Sequence, residues 1–146
     1  MSADPITIAV GYIRVASGSS RKRDRSVYLQ RQVILRYAKM NQIRITRFFA
    51  DHACISDITM RQGLSDAMAY IASGKASVLV VADLKRLTRN LEDLLFFVEQ
   101  QSLLTGGSAL ISVQEQVDTR TPEGLSMLET IHTLACWESS DLASGA

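Results

Sequence analysis

Apolar and polar positions fall into alternating blocks along the chain, and the blocks change period. Ile6 to Val15 is rich in β-branched residues and reads as a strand buried on both faces. Ser17 to Arg25 holds almost nothing apolar and reads as a mobile, solvated loop. Ser26 is placed to cap a helix running to about Gln42, with Leu29, Val33, Ile34 and Tyr37 on one face and Arg31, Arg36 and Lys39 on others. Ile43 to Ala50 alternates as a second strand ending at Asp51, followed by an irregular stretch to Met60.

Helical spacing returns in Arg61 to Ser73 through Leu64, Ala67, Met68 and Ile71, and Gly74 stops it. Ala76 to Ala82 is a Val-rich third strand. Asn90, with Asp93 three residues on, starts a helix that carries Leu91, Leu94, Leu95 and Val98. Gly106-Gly107 turns the chain into a fourth strand, Ala109 to Val113, and Thr121-Pro122 opens a last helix through about Trp137. Strands alternating with helices predict an α/β fold: a single domain with a mostly parallel sheet of about four to five strands and helices on both faces. The domain is expected to span residues 1–146, with 1–5 and 139–146 frayed or disordered. In such sheets the site lies outside the carboxyl ends of the strands, where Arg14, Asp51 and Asp83 fall.

Composition narrows the function little. The chain is 47% hydrophobic and 21% charged, ordinary for a soluble domain, with a net charge of +1. A nucleic-acid partner must therefore be argued from local clusters, such as Arg21, Lys22, Arg23 and Arg25, or Lys85, Arg86 and Arg89. Cys54 and Cys136 are far apart and suggest neither zinc nor a disulfide framework. The first residues lack the pattern of a secretory signal, and no apolar run approaches the roughly 20 residues of a membrane span. A cytoplasmic protein with no membrane partner is expected.

The candidate chemistry is arginine-rich. Arg14 follows the first strand, Arg61 the loop after the second, and Arg86 and Arg89 the third. A guanidinium holds two phosphate oxygens at once and stays charged, so several around one spot can stabilise a phosphoryl-transfer transition state without a metal. The four are expected to converge on one anion-sized site, with Asp51 and Gln30 orienting them. His52 beside Asp51 and Ser56 makes no hydrolase triad, because no Gly-x-Ser-x-Gly elbow is present. Gly74-Lys75 lacks the remaining parts of a phosphate-binding loop, and His132 reads as a helix residue near a packed face.

Gly11-Tyr12-Ile13-Arg14-Val15-Ala16-Ser17 resembles the Tyr-x-Arg-Val-Ser signature of the serine recombinases, the resolvases and invertases. The resemblance extends over nearly the whole chain. Ser26 to Gln32 is similar to the start of that family's first helix, with Gln30 on an active-site glutamine. Phe49-Ala50-Asp51 with Arg61-Gln62-Gly63-Leu64 resembles its acidic strand end and Arg-x-Gly-Leu. Leu84 to Asn90 resembles its Asp-Arg-Leu-x-Arg segment, with Lys85 in place of Asp. Val113 to Gly124 and Leu134-Ala135-Cys136-Trp137-Glu138 resemble the approach to its oligomerisation helix and part of that helix. Any one fragment occurs by chance; five in order identify the family.

The resemblance implies a resolvase-like fold and site-specific recombination of double-stranded DNA. A serine attacks a phosphodiester, forming a 5′-phosphoserine bond and releasing a 3′-hydroxyl, with no cofactor and no metal. Arg14, Arg61, Arg86, Arg89, Gln30 and Asp51 become site residues, and Tyr12 a packing and hydrogen-bonding neighbour of Arg14. Ala16 stands at the nucleophile position, so Ser17 is the hydroxyl at hand, although strand alternation would turn it away from the arginines unless the strand ends or bulges there. Lys85 adds a cation where the family has a carboxylate. The family's separate DNA-binding domain is not in this sequence, which leaves a catalytic module. Leu125, Leu128, Ile131 and Leu134 form a stripe expected to build a homo-dimer or tetramer. The alternative reading is an inactive module that binds DNA backbone or serves assembly; a flavodoxin-like binder of small molecules fits the fold alone.

Overall fold

A computed structural model describes residues 6–15, 19–52, 61–87 and 108–144, without the side chains of 132 and 135–144. The described elements are β1 (Thr7–Val15), α1 (Ser20–Met40), β2 (Ile43–His52), α2 (Gln62–Ala72), β3 (Val78–Val81), the single turn α3 (Leu84–Leu87), β4 (Ala109–Ser112), β5 (Val117–Asp118) and α4 (Pro122–Ser144). The sheet runs in the order β2-β1-β3-β4-β5. Its first four strands pair parallel, and the short β5 returns antiparallel on β4. The strand order reverses between β1 and β3, which places a crevice at their carboxyl ends.

Both faces are covered, as expected of a parallel sheet. Val10 and Tyr12 of β1, Leu79 and Val81 of β3 and Leu110 of β4 pack with Leu64, Ala67, Met68 and Ile71 of α2, Leu87 of α3 and Leu128 of α4. On the other face Ala9, Ile13, Val78, Val80 and Ile111 pack with Ile34 and Ala38 of α1.

One irregularity decides where the site residues point. The β1–β2 register slips between Ala9 and Val10, so that Ala9 faces Ile45 while Val10 faces Arg47, and Thr46 is the extra residue. Side chains alternate across a strand, so one inserted residue inverts the alternation beyond it. Ile43, Ile45 and Phe48 therefore all face α1, while Phe49 turns to the α2 face. Asp51 follows with the same parity and lies opposite Arg14.

Three expectations change. Residues 20–25 are not a loop: α1 begins at Ser20, capped by Ser19, whose hydroxyl accepts from the Lys22 amide at 3.3 Å. This turn has no apolar face, so periodicity could not reveal it. The buried face of α1 is Gln30, Ile34 and Ala38, whereas Leu29 and Val33 are exposed and, with Met40 and Val113, line an apolar groove of about 370 Å³. The last helix continues past Trp137 to Ser144, and its start is as read: the Thr121 hydroxyl accepts from the Gly124 amide at 3.0 Å. The predicted helix after Asn90 and the Gly106-Gly107 turn lie outside the described residues.

Candidate active site at the carboxyl edge of the sheet

Among the described residues five polar or charged side chains are buried, and four of them, Arg14, Gln30, Asp51 and Arg61, are site residues read from the sequence. Burying such groups is costly unless their hydrogen bonds are made. Asp51 meets that demand three times. Its Oδ1 accepts from the Gly63 amide at 2.8 Å, and its Oδ2 accepts from the Leu64 amide at 2.9 Å and from the Tyr12 hydroxyl at 2.8 Å. The carboxylate thus takes up two otherwise orphaned amides in the first turn of α2 and anchors a phenol from β1. Gly63 is needed for this approach, because a Cβ there would lie 2.2 Å from the Ala50 carbonyl oxygen.

Tyr12 is fully buried. Burial, then the hydrogen bond to Asp51 and its charge, push the phenol well above its ordinary value near 10, while the Arg61 guanidinium pulls the other way. It stays a neutral donor. Its partner is Asp51, not the expected Arg14: the two β1 residues share a face, but the hydroxyl reaches across to β2.

Arg61 is only 1% exposed. Its Nη1 donates to the Leu87 carbonyl of α3, while its Nε and Nη2 meet no acceptor among the described residues. Arg14 Nη1 donates to the Lys85 carbonyl at 3.5 Å. Both arginines therefore reach the backbone of one short turn, α3, which follows β3. Gln30 acts on Arg14 through the main chain: its Oε1 accepts from the Arg14 amide at 3.1 Å and its Nε2 donates to the Arg14 carbonyl at 2.9 Å. The same Nε2 reaches the Ser26 hydroxyl at 3.0 Å and the Ser26 carbonyl at 3.2 Å. Ser26, read as the helix cap, instead ties α1 to the end of β1.

Arg86 does not join this cluster in the described structure. Its amide donates to Asp83 Oδ1 at 3.0 Å, and its Nε lies 3.7 Å from Asp83 Oδ2. The Lys85 side chain is exposed. Arg89, Ala16 and Ser17 lie outside the described residues, as do Cys54 and Ser56. Sequence reasoning missed the role of Glu115, whose Oε1 accepts from the Leu84 amide at 3.2 Å and from the buried Ser112 hydroxyl, fixing the start of α3. Its signal was a lone acid just beyond a buried strand, which points nowhere until α3 is known. No three His, Cys, Asp or Glu side chains gather for a metal among the described residues.

In α4, Leu128 is fully buried and Ile131 packs against the same core, so this part of the predicted oligomerisation stripe serves the chain's own sheet. Leu125 is half-buried and Leu134 exposed.

Two buried guanidinium groups anchored on backbone carbonyls of α3, beside a buried carboxylate and phenol at the switch point of a parallel sheet, are the chemistry that a site for an anion requires. The chain belongs to the family described as Resolvase, N terminal domain, whose model matches residues 9–144. Its fold is similar to the N-terminal catalytic domain of TP901-1 integrase, with a TM-score of 0.79 and 19% identity over 92% of this chain and 98% of that one. It is also similar to a resolvase family site-specific recombinase from Streptococcus pneumoniae, with a TM-score of 0.72 and 23% identity over 95% of this chain and 92% of that one. A third similar structure is the C-terminal catalytic domain of ISC1926 TnpA, an IS607-like serine recombinase, at a TM-score of 0.56 and 21% identity over 87% of this chain and 97% of that one. No curated protein matches the chain. No described helix is long and apolar enough to cross a membrane.

Proposed function

We propose that this domain is the catalytic module of a site-specific DNA recombinase acting in the cytoplasm, and that its carboxyl-edge pocket holds a phosphodiester of double-stranded DNA. The observation that carries the reading is Arg61: a guanidinium buried to 1% exposure, with Nε and Nη2 lacking an acceptor among the described residues, beside a second buried arginine. A phosphate oxygen is the acceptor such a donor pair fits, and charge-assisted bonds in a dry site are strong. Arg86 and Arg89 would complete the grip once DNA draws Arg86 from Asp83.

In the reaction a serine oxygen bonds to phosphorus and the bond to the 3′ oxygen breaks, leaving a 5′-phosphoserine and a 3′-hydroxyl. Rejoining reverses this. With Ala16 at the nucleophile position, the hydroxyl this chain offers is that of Ser17. A second reading, an inactive module that grips backbone or serves assembly, is favoured by the same alanine and by Lys85. We also read the domain as working in a homo-dimer or tetramer, for which α4 offers Leu125 and Leu134.

The test fuses the domain to a DNA-binding domain and traps covalent protein–DNA adducts on supercoiled target DNA. An adduct mapped to Ser17 is the expected result for an active chain, and Ser17→Ala should abolish it. An adduct only after Ala16→Ser would mean the pocket is intact and the hydroxyl missing. Adducts from neither chain would leave the inactive reading.

A further inference from the structure

The first turns of α1 carry charge that the fold does not use. Ser20 to Arg25 contains Arg21, Lys22, Arg23 and Arg25 against a single acid, Asp24, and no apolar residue. None of the four cations forms an ion pair with another described residue. They also sit at the helix end where the macrodipole disfavours positive charge. Folding therefore gains nothing from them.

Their position is fixed by Gln30. It binds both the Arg14 backbone and Ser26, which sets Ser26 level with the end of β1. The six residues before Ser26 then rise about 9 Å beyond the sheet edge, at 1.5 Å per residue. At 100° per residue Arg23 lies on the line of the inward-facing Gln30 and Ile34, directed over the sheet edge, while Arg21, Lys22 and Arg25 occupy the other sides. The result is a cationic tip beside a pocket whose buried Arg61 independently keeps Nε and Nη2 without an acceptor among the described residues.

We propose that this tip is a second, sequence-independent contact to the duplex backbone, seated on phosphates that flank the one held in the pocket. It rests on reading the pocket as a DNA-phosphate site, and it names a part of the DNA contact that lies outside that pocket. A rise of about 9 Å spans two to three phosphates at roughly 3.4 Å per strand step. Arginine and lysine at such a place supply affinity and salt dependence without reading bases.

The test measures binding of the full chain to a short duplex carrying no recombination site, titrated with salt, and needs no cleavage. Replacing Arg21, Lys22, Arg23 and Arg25 together by glutamine should lower the slope of log affinity against log salt by about two or more, since each released phosphate contact contributes roughly 0.9. Lys39→Gln with Arg44→Gln, at the opposite edge, should change the slope far less than Arg23→Gln with Arg25→Gln. The melting temperature of the fourfold variant should hold or rise, because the macrodipole conflict is relieved. An unchanged slope, an equal effect from the opposite-edge pair, or binding to anionic lipid vesicles in preference to the duplex would overturn the proposal. A fall in melting temperature with an unchanged slope would assign the tip to α1 alone. Loss of adduct formation with this binding intact would instead count against the reaction.

Discussion

Replacing Asp51 by asparagine perturbs the frame of the site with almost no change in volume. The carboxylate accepts three hydrogen bonds, from the amides of Gly63 and Leu64 and from the Tyr12 hydroxyl. An amide has one oxygen. With that oxygen in the Oδ2 place the Leu64 and Tyr12 bonds survive, but the new NH2 faces the Gly63 amide, donor against donor. The reverse flip keeps Gly63 and abandons Leu64. An unsatisfied buried amide costs about 1–3 kcal/mol, and the lost negative charge at the start of α2 about 1 kcal/mol more. Asp51→Asn should therefore lower stability by roughly 2–4 kcal/mol in urea unfolding followed by circular dichroism, and the melting temperature by about 5–15 °C. Because the Tyr12 bond survives in Asp51→Asn, the double variant with Tyr12→Phe should cost the sum of the two to within about 0.5 kcal/mol. An Asp51→Asn protein within about 0.5 kcal/mol of the parent would refute this account of the first turn of α2.

Tyr12 also sets an alkaline limit. Its folded value is raised above the ordinary one near 10, so the unfolded chain loses the proton first and stability falls as pH climbs past about 10, by up to about 1.4 kcal/mol per pH unit from this group. In Tyr12→Phe that part of the alkaline loss should vanish from unfolding curves measured between pH 9 and 11, values chosen on either side of the ordinary phenol range near 10; an unchanged pH slope would contradict it. Gln30→Ala should leave the buried Arg14 amide and carbonyl without the side chain that satisfies them, costing about 2–3 kcal/mol in the same urea assay, and hydrogen exchange should quicken at Arg14.

Much of this fold is legible because burial on both faces leaves a plain record. The apolar runs around Ala9 to Ile13, Val78 to Val81 and Leu110 to Ile111 are strands, and Thr121-Pro122 does open α4. The site was legible in part. Arg14, Gln30, Asp51 and Arg61 are all buried at one sheet edge, but how they act was hidden, because Gln30 and Asp51 bind backbone groups, which carry no sequence signature. The Thr46 bulge was hidden too: Ile43 to Ala50 alternates convincingly without it, and only pairing with β1 shows that Asp51 has changed faces. The start of α1 failed for the opposite reason, since a helix turn without an apolar face leaves no periodicity to read.

Among the described residues, the frame of the site uses the backbone of position 85 and not its side chain. Its bonds join Tyr12 to Asp51 and Gln30 to Arg14, and tie Asp51, Arg14 and Arg61 to the backbone at Gly63, Leu64, Lys85 and Leu87. Lys85 contributes a carbonyl, which any residue would supply, while its exposed ammonium adds a cation near two arginines. The alanine at position 16 and the lysine at position 85 can therefore be tested separately. Lys85→Asp should leave stability within about 0.5 kcal/mol, as for an exposed position, and should yield no adduct through position 16 on its own. Combined with Ala16→Ser it should yield more adduct than Ala16→Ser alone, because a carboxylate at 85 gives Arg14 and Arg86 a partner that orients them while phosphate arrives. A Lys85→Asp protein destabilised by more than about 1 kcal/mol, or a double variant slower than Ala16→Ser, would show that the lysine is part of the site and not a departure from it.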